Sequence, residues 1–154
     1  MASVSSYCEW WGLREQKKGT NALGFIPRPR LDQYESQGRI LVAKENDELA
    51  GMLVHGTGRG GVMRIYQACI QYDARRREKG LRLVADLEAK AMRMGCGTVR
   101  LRCALDLESN AFWSAAGFSL IDVEMGGRRR GRMINVYEKP LPILRLFDLG
   151  ARDD

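Results

Sequence analysis

A single α/β domain, built on a mixed, mostly antiparallel sheet with flanking helices, is the fold that this sequence predicts, and three observations predict it. Residues 39–43 and 49–55 are rich in Ile, Leu and Val, and Glu45-Asn46-Asp47-Glu48 between them is turn chemistry, so the pair reads as an antiparallel hairpin. Residues 64–72 alternate Ile65, Gln67, Cys69 and Gln71 with Tyr66, Ala68, Ile70 and Tyr72, which suits a strand buried on at least one side. A helix separates that strand from another at 98–103, and such a crossover requires a parallel or split arrangement within the sheet.

The other elements follow in order. Residues 10–21 are polar and aromatic, with good helix formers at 13–18, and the prolines of Gly24-Phe25-Ile26-Pro27-Arg28-Pro29 interrupt any continuous helix. A short helix fits 31–37, with Gly38 able to end it. A glycine-rich loop spans 56–61. The clearest helix carries Leu83, Leu87, Ala91 and Met94 on one stripe, joined by Val84, and stops at Gly95. Residues 107–116 form a short helix closed by Gly117. A last hairpin joins 118–124 to 133–138 through Gly126-Gly127-Arg128-Arg129-Arg130-Gly131. The tail beyond Pro140 carries Ile143, Leu144, Leu146 and Phe147, fit to dock on the body or on a second copy, and no internal repeat is present.

At 154 residues the chain is the size of one domain, and 45% apolar with 29% charged residues is globular composition. With no apolar run of transmembrane length and no secretory leader, a cytoplasmic protein without a membrane partner is expected. Cys8, Cys69, Cys96 and Cys103 lack the paired spacing of a zinc site, and His55 is the single histidine, so no metal is expected and the thiols read as reduced packing residues. The formal net charge of +6 invites a nucleic-acid reading, yet much of it falls in two clusters, 75–79 and 128–132.

One of those clusters sits where chemistry is favoured. The loop Asp73-Ala74-Arg75-Arg76-Arg77-Glu78-Lys79-Gly80 feeds a helix expected to begin near Leu81. A helix start leaves several backbone N–H groups without an intrahelical acceptor, and the helix dipole adds partial positive charge, so the place suits a phosphate. Arg75, Arg76, Arg77 and Lys79 strengthen it by direct charge.

Residues 68–80 resemble the fourth strand and pyrophosphate loop of the GNAT N-acetyltransferase superfamily, whose loop reads (Gln/Arg)-x-x-Gly-x-(Gly/Ala). The gapless register puts Arg75 first, Gly80 at the second small position, and Glu78 where the family has its first glycine. A register shifted by two keeps Gly80 as that first glycine and puts Arg82 second; the gapless one also aligns Leu83 and Val84 with the family's helix leucines. Downstream, Asp106-Leu107-Glu108-Ser109-Asn110-Ala111-Phe112-Trp113 with Gly117-Phe118 resembles the marker Asn-x-x-Ala-x-x-Phe-Tyr-x-x-x-Gly-Phe, with Trp113 in place of the tyrosine often cast as general acid.

The resemblance covers about residues 23–141 and implies an acyl-CoA-binding domain at 1–141, a tail at 142–154, and a parallel strand pair that splays apart at the centre of the sheet. It implies acetyl-CoA (coenzyme A) held by Cys69, Ile70, Arg75, Arg76, Arg77, Glu78, Lys79, Gly80, Leu81, Asn110 and Trp113, and direct transfer of the acetyl group to an amine of a small molecule or protein. The strand carries Gln67 and Gln71 where relatives often have a glutamate base. Tyr66, Tyr72, Tyr137 and His55 remain as substitutes, although strand tyrosines usually pack and His55 reads as a solvated strand end. Two other readings stay open: a catalytically degenerate domain that binds a protein partner, and a basic nucleic-acid-binding module. A homodimer is left open too.

Overall fold

The first hairpin turns on two residues, Asn46 and Asp47, whose positive φ values of 50° and 64° are the backbone that joins right-twisted strands most tightly. In the computed structural model, residues 3–17, 26–70, 76–126 and 132–142 are described, excepting the side chains of residues 14–17, 70, 76 and 77. The elements are α1 (Val4–Lys17), α2 (Arg28–Ser36), β1 (Ile40–Glu45), β2 (Glu48–His55), β3 (Val62–Ile70), α3 (Arg76–Arg93), β4 (Thr98–Ala104), α4 (Ser109–Ala115), β5 (Ser119–Met125) and β6 (Met133–Pro140). The six strands form one sheet in the order β1-β2-β3-β4-β6-β5. Every neighbouring pair is antiparallel except β3 with β4, because α3 crosses between them.

The period of two along each strand sorts the core into two layers. Leu53, Met63, Ile65, Val99, Leu101, Cys103 and Tyr137 face α3 and α4, where they meet Val84, Leu87, Ala91 and Trp113. Met52 and Val54 face the other way, onto Cys8 and Trp11 of α1 and Leu31 of α2, with Cys69 packed against them. Burial pushes the Cys8 thiol up to about 12, with Glu35 adding to it, and also raises Cys96 and Cys103. These three are packing residues and not thiolates at neutral pH.

The mixed sheet and the order of elements match the expectation, while several boundaries differ for identifiable reasons. α2 begins at Arg28 rather than 31, because Pro29 lies in its first turn, where no N–H is required and the fixed φ suits a helix. α3 begins at Arg76 rather than near Leu81: Arg, Glu and Lys are good helix formers, and Glu78 in the first turn complements the dipole. Met94, expected on the buried stripe, falls beyond the end of α3 and is exposed.

His55 is the largest departure, for it is 1% exposed instead of a solvated strand end. It shares the inward face of β2 with Leu53, and its ring closes a polar contact under α3. Nδ1–H donates to the carbonyl of Gly56 at 2.7 Å and Nε2 accepts from Lys90 Nζ at 3.1 Å, while Lys90 also donates to the Gly38 carbonyl. Burial, the largest influence, holds His55 below the ordinary histidine range; the bond to Gly56 opposes this and the charges of Lys90 and Arg39 add to it. The unfolded chain therefore takes up a proton near pH 6.5 that the folded chain refuses until lower pH. Stability present above that pH is lost as the pH falls through the folded-state value. Thermal melts are expected to be flat from pH 8 to 7 and to drop below about 6.5, and His55→Asn should flatten the drop.

Candidate active site

The site begins with a fault in the sheet. Pairing of β3 with β4 runs from Val62–Thr98 to Ile65–Leu101 and, among the described residues, goes no further. At the same place the β2–β3 register slips: His55 pairs Ile65 while Val54 pairs Gln67, so Tyr66 is an extra residue, a bulge. A bulge bends its strand and breaks its ladder on one side. Beyond it β3 stays with β2 as far as Gly51–Ile70, and β4 stays with β6 as far as Ala104–Ile134, so the two central strands part. The edge of β3 that faces the gap keeps main-chain groups with no ladder partner in β4.

Three elements converge on that opening. β3 delivers Cys69 and Ile70 at its end. α3 delivers its N-terminus, whose first amides have no intrahelical acceptor and whose dipole favours an anion. α4 follows directly from β4. Ala68 and Leu81 pack against the same cluster as Cys103, Phe112 and Trp113, which fixes the three elements around one centre.

The expected site residues fall into distinct places within this frame. The Cys69 side chain turns to the α1–α2 face, opposite Met52, leaving its backbone at the gap. Arg75 lies outside the described residues, as do Gln71, Tyr72, Asp73 and the arginines of residues 127–131; the main chain of Arg76 and Arg77 opens α3. Glu78 is exposed in the first turn. Lys79 donates to the Lys44 carbonyl at 3.0 Å and lies 3.6 Å from Glu45, so it ties α3 to the first hairpin. Gly80 is buried and shares the helix stripe of Leu83, Val84 and Leu87.

Trp113 is 6% exposed, wedged edge-on between Phe112 at 5.0 Å and Phe118 at 5.4 Å. Its position serves the core rather than proton transfer. Trp113→Tyr is accordingly expected to lower stability by about 1–2 kcal/mol and to leave turnover no higher, read by melting and by thiol release. The Gly117-Phe118 that follows has a backbone cause: Gly117 takes φ +93°, and Phe118 N–H reaches back to the Trp113 carbonyl at 3.1 Å, ending α4.

Sequence reasoning missed the polar lock beneath the site. Asn110 Nδ2 donates to the carbonyls of Ala104 at 2.9 Å and Leu107 at 2.6 Å. Its Oδ1 accepts from Asn135 Nδ2 at 2.9 Å and from the Tyr137 hydroxyl at 2.8 Å. Asn135 Oδ1 itself is buried with no hydrogen-bond partner among the described residues. The signal was there in Ile134-Asn135-Val136-Tyr137, an amide inside an apolar strand. Tyr66, by contrast, was read as packing and is 45% exposed, because the bulge turns it out of both core layers.

Comparison with known proteins agrees with this geometry. Among curated protein sequences none matches the chain. Solved structures do: an aminoglycoside 6'-N-acetyltransferase complexed with coenzyme A is 15% identical, with a TM-score of 0.70 over 87% of this chain and 88% of that one. A ribosomal-protein-alanine N-acetyltransferase from Brucella melitensis is 17% identical, with a TM-score of 0.68 over 91% and 97%. A Bacillus subtilis acetyltransferase in complex with CoA is 20% identical, with a TM-score of 0.60 over 74% and 84%. At such identities the likeness is one of fold. The family profile described as acetyltransferase (GNAT) family matches residues 7–118, which takes in α2, β1, β2, the parted strands, α3 and α4. The chain belongs to the GNAT acetyltransferase family.

Proposed function

We propose that this protein is an acetyl-CoA-dependent N-acetyltransferase that passes the acetyl group directly to an amine. The observation that carries the reading is the end of the β3–β4 ladder at Ile65–Leu101, beside the start of α3. Acetyl-CoA supplies the acetyl group as a thioester and leaves as the free thiol. The residues present fit such a ligand through main chain more than side chain: the α3 amides suit its diphosphate, and the unladdered edge of β3 near Cys69 and Ile70 offers N–H groups to its carbonyl. Arg75, Arg76 and Arg77 add charge by sequence position, whereas Lys79 is engaged with the first hairpin.

The amine nitrogen attacks the carbonyl carbon as the carbon–sulfur bond breaks, and the amine loses one proton to solvent or an acceptor group. The described part of β3 carries no carboxylate, so the main contribution of the chain is positioning and polarisation. The relatives act on aminoglycosides and on ribosomal-protein alanine, and an amine of a small molecule or of a protein N-terminus is the acceptor class proposed here.

A second reading rests on Glu78 in the place of a loop glycine and on the buried Trp113: a domain that keeps the pocket, has lost catalysis and binds a protein partner. A thiol-release assay with acetyl-CoA across a panel of amines and N-terminal peptides decides between them. Turnover with any acceptor supports the transferase; acetyl-CoA binding without turnover on the whole panel supports the second reading.

A further inference from the structure

The first half of β3 carries a second feature that acetyl transfer does not use. Met63 and Ile65 point into the α3 layer, so Arg64 and Tyr66 point to the opposite face, where α1 and α2 cover only part of the sheet. There a concavity of about 520 Å³ is lined by Gly56, Thr57, Gly58, Arg59, Arg64 and Tyr66. It runs along the start of β3 up to the bulge residue Tyr66, whereas the parted strands lie beyond it. Such a volume is in the range of small-ligand clefts.

Its charge is uncompensated. Arg64 stands directly beside Arg100 in the parallel ladder, and Arg100 is committed to Glu138 through Nε at 3.1 Å and Nη2 at 3.0 Å. Like charges side by side on a sheet cost stability. Neither Arg59 nor Arg64 has an ion pair among the described residues, and no carboxylate is in the lining. Next to these cations is a flat surface held in place: the Arg39 guanidinium lies 4.2 Å from the Tyr34 ring and 5.7 Å from the Tyr66 ring, and its Nε donates to the His55 carbonyl at 3.0 Å. Gly56 permits the close fit, since a β-carbon there would stand 3.0 Å from the Tyr66 hydroxyl.

Two unpaired arginines beside an oriented, half-exposed tyrosine match a ligand with a phosphate and a planar ring. We propose that this groove binds a nucleoside phosphate, free or as a unit of single-stranded nucleic acid, with Arg59 and Arg64 on the phosphate and the base stacked on Tyr66. The inference goes beyond acetyl transfer and does not depend on it. An acidic peptide would satisfy the arginines and gain nothing from the ring.

The test titrates the full chain with AMP, with a labelled ten-nucleotide oligoadenylate, and with an oligoglutamate of similar charge. The oligoadenylate is expected to bind with a salt dependence that Arg64→Gln lowers by about one unit of slope. Tyr66→Leu should weaken it by about fivefold or more, since base stacking contributes about 1–3 kcal/mol, while Tyr66→Phe should retain affinity. Lys44→Gln, a charge loss beside the β1–β2 turn at the opposite end of β2 from the groove, is the comparator for general basicity. AMP binding with the same variant pattern identifies a free nucleotide as sufficient, and oligoadenylate binding without AMP identifies a single strand; both uphold the site. No binding of either, an equal affinity for oligoglutamate, or losses at Tyr66 and Arg64 no larger than at Lys44 overturns it. Acetyl-CoA binding, read on the same samples, fails or succeeds separately.

Discussion

Asn110→Ala is expected to be the most destabilising substitution at the site, by about 3 kcal/mol and a fall in Tm of roughly 6–12 °C for a chain of this size. The cause is a count of orphaned groups. α4 is seven residues long and its N-cap, Glu108, makes no side-chain cap bond, so the helix depends on Asn110 to hold it to the end of β4. Removing the amide also leaves Asn135 Nδ2 and the Tyr137 hydroxyl without their common acceptor, and Asn135 is 4% exposed. A buried donor left unpaired costs more than the bond was worth. Asn110→Asp should be comparably harmful, because it keeps the acceptor and turns a carboxylate oxygen toward two carbonyls. Tyr137→Phe, which leaves Oδ1 bonded to Asn135, should cost only about 1 kcal/mol. Chemical melts of the three variants check this, and equal losses from Tyr137→Phe and Asn110→Ala would show that the lock is not shared.

The second large effect concerns the start of α3. Replacing Arg75, Arg76 and Arg77 together by Glu is expected to weaken acetyl-CoA binding by about 100-fold or more, since each charged contact to phosphate contributes about 1.5–3 kcal/mol and the substitutions also introduce repulsion. The dipole and main-chain amides remain, so the loss isolates the side-chain charge. Arg30→Glu, a charge reversal on the exposed face of α2, should change affinity less than twofold. Circular dichroism shows whether α3 persists in the triple variant, which separates lost charge from a melted helix. If the triple variant binds as well as the parent, the arginines serve solubility and the main chain alone does the holding.

The order of strands and helices was legible because it is written in short-range chemistry: Asn46-Asp47 at a tight turn, the leucine stripe of α3, and Gly117 with Phe118 after α4. The expectation of a mixed sheet followed from one crossover between Arg64 and Cys103. Less legible was what depends on one residue of register. The bulge at Tyr66 has no composition signature, yet the parallel pairing stops beside it and Tyr66 is exposed there. The basic run before α3 looks like a loop by charge and is partly helix, because the same residue types are good helix formers. His55 could have been placed, since it follows Leu53 by two on the same strand; the glycines after it masked the alternation.

Two of the residues expected at the site are engaged in the fold. Trp113 packs between Phe112 and Phe118, and Lys79 joins the first hairpin. The proposed coenzyme site draws on main chain at the edge of β3 and the head of α3, with the charge of Arg75, Arg76 and Arg77 beside it by sequence position.

Isothermal titration of acetyl-CoA into the purified chain asks whether that cradle holds the coenzyme. One molecule per chain at about 1–100 μM, within the ordinary range for an enzyme and its substrate, is the predicted result. No heat and no saturable binding at millimolar acetyl-CoA, from a protein whose melt shows it folded, would contradict the account.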